Sequence, residues 1–334
     1  MIMATIGKNF LTLKDMYSQM EGDGKVTAAI IDLFMSSNAI LEDAIAVECN
    51  EGTNHKTTVR NGLPSPQFRQ FYQGVESQKG DYTPITDGTS MLDDYSDIDK
   101  KLADINGNTA QFRLNEAEAH IQGMNNTVKT NIFYGSKGKN ASAFDGLATR
   151  YNKISNIDGE LGYQVIDGGG TGDDNTSIYF VTWGDRHTHL IYPKGSKAGL
   201  QREDKGQVTV QDAQGRNYEA YRDYFSWDLG LCVRNYRSSA RIANIDVSNL
   251  KTADAAELVD LMVDAYYRIE DHAVNGKTVI YANKTIRTAL HKQAMKKDNV
   301  NLTIEKYAGK PIVEFLGIPI KSCSEILNTE ARVQ

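Results

Sequence analysis

The chain has 334 residues, of which 40% are hydrophobic, 24% charged and 9% aromatic, ordinary globular usage with length for about two domains. A formal net charge of −6 excludes the basic excess behind tight, salt-sensitive phosphate binding, and no apolar run approaches the ~18 residues of a membrane span. Cys49, Cys232 and Cys323 are far apart without a CxxC pair, so neither a disulfide framework nor a zinc site is legible; they read as reduced thiols, and no secretion pattern opens the chain.

Residues 1–24 are polar and broken by glycine, after which Ile30, Leu33, Phe34, Leu41, Ala44 and Ile45 recur at helical spacing around a Ser36–Asn38 break, predicting one or two short amphipathic helices. From Cys49 to Asp81, Gly and Pro come at short intervals around a β-like run, Thr57–Arg60. This spacing predicts a long extended hairpin. Such an excursion is longer than the ~12–15 residues of even long loops in compact domains, which marks it as functional or packed on something else. It also carries Phe68, Phe71 and Tyr72, rings that water should not see.

The strongest periodicity follows. Ile98, Leu102 and Ile105, then Leu114, Ala117, Ile121, Met124, Val128 and Ile132 keep spacings of three and four, interrupted by Asn106-Gly107-Asn108. A helix over 97–132, about 50 Å long, is predicted, with the triplet as the place where it kinks or splits. After Gly135 the composition turns to strands: two over 178–193 about a Gly184-Asp185 turn, two over 207–227 about Asp212–Gly215, and more over 229–245. An amphipathic helix begins near Thr252 and carries Leu258, Leu261, Met262, Ala265, Tyr266 and Ile269. A second follows Asn283 as its N-cap, with a basic face of Lys284, Arg287, Lys292, Lys296 and Lys297 that reads as solvated surface. The chain closes on a strand pair around Ala308–Lys310.

Chemistry is hard to find. GGGTGDDN at 168–175 has glycines enough for a phosphate cradle, but it lacks the P-loop Lys and Ser/Thr and leads into a strand instead of a helix, so it reads as a turn. Asp185, His187 and His189 form DxHxH, a feasible ligand pair on one strand face, but no third ligand is tied to them by spacing. His55, His120, His272 and His291 are scattered, and no nucleophile signature is present. Asp93 and Asp94 suit the N-terminal dipole of the long helix. No enzyme, metal site or cofactor emerges; a metal- or nucleotide-dependent enzyme stays as a weak alternative, and a long helix after a long loop argues against a plain β-sandwich adhesin.

The order of parts, together with RNGLPSPQFRQFYQGVESQKGDYTPIT, IYFVTWGDRHTHLIYPKG and FSWDLGLCVRNYRSSARIANI, resembles the major capsid proteins of tailed bacteriophages with the Hong Kong 97-type fold, in the style of short-tailed phages. The resemblance implies an α+β fold with an N-terminal arm over 1–46, an extended loop over 47–84 and a peripheral domain with its spine helix over 85–145. A mixed β region over 146–250 is shared between domains, and an axial domain occupies 251–334. It implies self-assembly as pentamers and hexamers into an icosahedral shell around double-stranded DNA, in the virion, after assembly in the host cytoplasm. Partners implied are a separate scaffolding protein, since no extra N-terminal coiled segment is seen, a portal protein, room for a decoration protein, and DNA held by weak non-specific contact that the acidic balance suits. Within the loop, Arg60, Leu63, Phe68, Arg69, Phe71 and Tyr72 are the expected inter-subunit contacts, because a projecting hairpin buries its rings only across a neighbour. Lys56 and Lys79 lie where some relatives crosslink, but nothing marks either as reactive. An encapsulin-like bacterial compartment, with the same fold and a protein cargo, is the alternative.

Overall fold

The computed structural model describes residues 20–21, 26–27, 39–105, 107–251, 255–269, 273–294, 302–307 and 310–334. Most of the arm expected over 1–46 lies outside the described residues, as do the Ala308-Gly309 turn and Lys296 and Lys297. Two compact units form, and the long helix Thr109–Tyr134 contributes residues 109–128 to the first and 129–134 to the second.

In the first unit, Gln201–Gln211 and the outer part of Asn217–Val233 make an antiparallel hairpin. Its turn is set by Asp212, whose carboxylate accepts the Gln214 and Arg216 amides, and by Gly215 at φ 77°, a left-handed position that suits glycine. Ser90–Asp99 pairs with the same long strand. Against these strands the long helix lays the face read from its periodicity: Ala117, Ile121 and Met124 meet Leu92, Leu200, Phe225 and Trp227, while Phe112 joins Ile98, Leu102 and Ala103. The buried Asp223 carboxylate is held by Arg113 and Arg202, each at 3.1 Å.

The predicted helix over 97–132 is split. Asp99 caps a short helix, Lys100–Asp104, by accepting the Lys101 and Leu102 amides. Gly107 then adopts φ 68°, which no helix accommodates, and the long helix starts afresh at Thr109. Asp93 and Asp94 therefore do not serve the long helix's dipole. They sit in the strand Ser90–Asp99, where Asp93 accepts from the Tyr224 hydroxyl at 2.8 Å and Asp94 meets His120 Nδ1 at 2.6 Å.

The second unit is built on Asn175–Trp183, buried at every residue. Ala240–Asp246 and Lys277–Ala282 both pair with it antiparallel. Ile318–Ser322 follows in parallel beyond Lys277–Ala282, and Lys310–Phe315 and Leu302–Tyr307 continue antiparallel. Strand alternation sends Ile178 and Phe180 to one face, where Leu258, Met262, Ala265 and Ile269 of helix Ala255–Ile269 and Ile286 and Leu290 of helix Lys284–Ala294 cover them. Tyr179 points the other way and meets Phe133 at the end of the long helix, ring centroids 5.0 Å apart. A strand covered on both faces has no solvent side, which is why Ile178–Val181 runs apolar without alternation and the polar Asn175, Thr176, Ser177 and Thr182 are buried as well.

Asn283 is the N-cap expected of it: its side-chain oxygen accepts the Ile286 amide at 2.9 Å, and its amide group donates to Thr176 Oγ1 at 2.8 Å and to Asn328. Asn283→Ala is expected to cost about 1–2 kcal/mol in urea unfolding, a lost cap with buried partners left unpaired; an unchanged midpoint would show that the cap does not matter.

The helix Ala39–Asp43 ends on a buried carboxylate. Burial alone would raise the Asp43 pKa, but hydrogen bonds from Lys277, Lys321 and Tyr281 outweigh it and hold the group below its ordinary 3.8. Near and below that value the unfolded chain takes up the proton first, so the stability Asp43 contributes is complete above 3.8 and lost as pH falls through the lowered folded value. Acid unfolding curves of wild type should show this loss, and Asp43→Asn should flatten it; parallel curves would refute the assignment.

Candidate inter-subunit surface

The extended hairpin is formed by Asn54–Gly62 and Asp81–Gly88, paired antiparallel from Asn54↔Gly88 to Gly62↔Asp81. The predicted β-run Thr57–Arg60 is its middle. Nine residues at about 3.3 Å each carry the chain about 30 Å along this ladder before residues 63–80 form the tip. At the root, Thr57 and His55 are buried and alternate with exposed Lys56 and Thr58, so only one face of the ladder meets the unit. Gly230 lets it approach: a Cβ there would stand 2.5 Å from the Gly88 carbonyl oxygen.

The tip has no hydrophobic cover. Leu63 is 77% exposed, Phe68 108%, Phe71 96% and Tyr72 107%, values of an extended chain in water. The rings therefore do not pack on their own subunit. The tip is nonetheless shaped: Ser65 N donates to Gln78 Oε1 at 2.6 Å, Gln70 N to Gln73 Oε1 at 3.3 Å, and Arg69 Nη1 to the Gln73 carbonyl at 3.3 Å. Tyr72 sits at φ 69°, a left-handed conformation that costs a non-glycine residue about 1 kcal/mol. Arg60 lies over the Tyr82 ring at 5.3 Å. Val75 and Tyr82 are also exposed on the hairpin; sequence reading passed over them because they stand alone among polar neighbours.

The other candidates separate. In GGGTGDDN the amides of the first three glycines are consumed internally: Gly168 and Gly170 donate to the Ala243 and Asn244 carbonyls, and Gly169 to Asp167 Oδ1. Those three amides are therefore not offered to a phosphate, and the loop is a turn into Asn175–Trp183. Asp185 is exposed, and His187 precedes the strand Thr188–Tyr192 and donates from Nε2 to the Val274 carbonyl at 2.9 Å. His187 and His189 thus do not act as a pair. His189 instead meets His55 edge to face, ring centroids 5.5 Å apart, beside Cys232. Burial, and then the neighbouring His55, lower the His189 pKa to about 4, and burial raises the Cys232 thiol. His55, Asp87, His189 and Cys232 come from four strands, so no sequence spacing could have joined them.

The whole architecture has counterparts among known proteins. Residues 21–334 match the model of the family described as major capsid protein GP7. A chain of the solved structure of bacteriophage Epsilon15 is 40% identical, with 99% of each chain covered and a TM-score of 0.79. A chain of the bacteriophage JBD30 capsid, at 8% identity, TM-score 0.54 and coverage of 88% and 92%, shares the fold. No curated protein is significantly similar. The fold is the Hong Kong 97-type capsid fold. The compartment alternative is not favoured, since the family matched over residues 21–334 and the relative at 40% identity are phage capsid proteins. With the matched family spanning all but the first residues, the chain belongs to the major capsid proteins described as GP7, structural proteins that assemble from copies of themselves into the icosahedral shell of a tailed phage.

Proposed function

We propose that the extended hairpin is the strap by which one subunit grips the next, with Leu63, Phe68, Phe71 and Tyr72 buried against a neighbouring copy and Arg60 and Arg69 at the edge of that contact. The observation that carries this reading is a tip of fully exposed rings on a hydrogen-bonded, backbone-strained turn. A soluble subunit gains nothing from such a surface, whereas an interface core rich in aromatics and arginine gains most of its affinity there. Repeated around pentamers and hexamers, contacts of modest strength close a stable container.

In this reading residues 1–46 form the arm, 47–84 the extended loop, 85–145 the peripheral domain with its spine helix, 146–250 the β region shared between domains and 251–334 the axial domain. Assembly proceeds in the host cytoplasm on a separate scaffolding protein, with a portal at one vertex and a surface open to decoration. The shell encloses double-stranded DNA, which the net charge of −6 leaves only weakly held. The test is expression of the chain alone and with its candidate scaffolding partner, followed by sedimentation, negative-stain electron microscopy and assay of particle contents. Uniform closed shells that require the partner are expected. Shells filled with an enzyme and free of DNA would overturn the genome reading, and small species in both preparations would overturn the dependence on that partner.

A further inference from the structure

The side chains of His55, His189 and Cys232 meet at the root of the hairpin. Their ligand-capable atoms all lie within 4.8 Å of one another, and all three residues are buried, His189 and Cys232 completely. His189 Nδ1 donates to the Gly184 carbonyl at 3.3 Å, which fixes the tautomer and leaves Nε2 as the lone pair. That Nε2 is buried without a hydrogen-bond partner, and so is Nδ1 of His55. Two orphaned imidazole nitrogens around a thiol are costly to bury and need an explanation from the molecule itself. Asp87, directly across the ladder from His55, brings a further buried oxygen, Oδ2, without a partner, while Arg150 holds its Oδ1 at 2.6 Å.

We infer that His55, His189 and Cys232 bind a transition-metal dication of the zinc class, with Asp87 Oδ2 or a water as fourth ligand. A soft thiolate with two imidazoles is a donor set that favours zinc over magnesium or calcium. With metal bonds of about 2.0–2.3 Å, tetrahedral ligands stand about 3.3–3.8 Å apart, so atoms now within 4.8 Å close by about an ångström through side-chain rotation. Binding replaces the thiol proton with a metal–sulfur bond and releases that proton. The hydrogen bond to Gly184 and the Arg150–Asp87 ion pair are the outer contacts such a site uses to orient its ligands. Because His55 and Asp87 belong to the two hairpin strands while His189 and Cys232 belong to the strands beneath, the ion would fasten the hairpin root to its own unit and set the angle from which the tip departs.

The test is titration of the full chain, stripped with a chelator, with Co²⁺ as a spectroscopic probe and Zn²⁺ as competitor. One equivalent of Co²⁺ should give visible bands of tetrahedral coordination and a near-ultraviolet thiolate-to-cobalt band, both erased by Zn²⁺. Cys232→Ser should lose the thiolate band, and Cys49→Ser/Cys323→Ser should keep it. Zn²⁺ should also raise the wild-type melting temperature by several degrees and slow hydrogen exchange at residues 54–57 and 86–88. A wild-type chain with no thiolate band and no Zn²⁺-dependent melting shift overturns the site, whether or not the serine variant folds; a band that survives in folded Cys232→Ser overturns the assignment to these residues.

Discussion

Deleting Pro64–Gln73 is expected to abolish shell formation while leaving the subunit folded. The excised residues begin beyond the ladder of Asn54–Gly62 with Asp81–Gly88, and the side chains they remove are in water, so unfolding free energy should move by no more than about 0.5 kcal/mol. Assembly should behave otherwise. Burying one large apolar side chain contributes about 2 kcal/mol, so losing Phe68, Phe71 and Tyr72 together removes on the order of 6 kcal/mol from each contact, about four decades in its association constant. Single replacements by alanine should each raise the threshold concentration for assembly, and Tyr72→Gly separates the two effects. Glycine relieves the left-handed backbone and should leave the subunit slightly more stable, yet it deletes a ring and should weaken the shell. Sedimentation of scaffold-assisted assemblies beside melting of the free subunits reads both quantities. Normal particles from the deletion would end the case for the tip as an interface, whereas an unfolded deletion would place the rings in a subunit core, against their exposure.

The hairpin was legible because its sequence contradicts itself: turn-forming residues at short intervals and three rings cannot belong to one compact loop, and the conflict marks an excursion away from the unit. The helices Ala255–Ile269 and Lys284–Ala294 were legible from one-sided apolar spacing, and the second from Asn283 as well. The interruption of the long helix could be placed but not resolved, since Asn106-Gly107-Asn108 permits a kink as well as a break; the left-handed Gly107 decides it. Asp93 and Asp94 misled because acidic residues ahead of a helical pattern look like dipole partners, whereas alternation over Ser90–Asp99 makes them strand residues with ring partners, Tyr224 and His120. The His55, His189 and Cys232 cluster had no sequence signal at all. Its members lie on strands joined only by tertiary pairing, and spacing rules for metal sites presume ligands that are neighbours on one element.

Glu330→Ala is expected to be the most damaging single substitution in the subunit. Arg241 is inserted beneath the sheet with its side chain only 4% exposed and that of Glu330 5% exposed. Its guanidinium donates to Glu330 Oε2 at 2.8 Å, to the Tyr151 carbonyl at 2.8 Å and to Ser177 Oγ at 3.1 Å, and lies over the Tyr179 ring at 5.4 Å. Glu330 is equally committed: it accepts from the Tyr134 and Ser177 hydroxyls, and its own amide donates to the Asn175 carbonyl at 2.9 Å. One carboxylate thus ties the C-terminal segment to the end of the long helix and to two central strands. Removing it leaves a buried cation without its counter-charge, which costs about 3–5 kcal/mol, a large share of the 5–15 kcal/mol by which folded domains exceed their unfolded states. Replacing both partners, as Arg241→Met with Glu330→Leu, removes the charge along with its counter-ion and should recover most of that loss, because the orphaned cation and not the missing bond dominates the cost. Urea unfolding of Arg241→Met, of Glu330→Leu and of the double variant closes the cycle. A double variant as unstable as Glu330→Ala would mean that the hydrogen bonds to Tyr151, Ser177 and Tyr134 carry the stability instead, and that the ion pair serves to hold the C-terminal segment in register with Asn175.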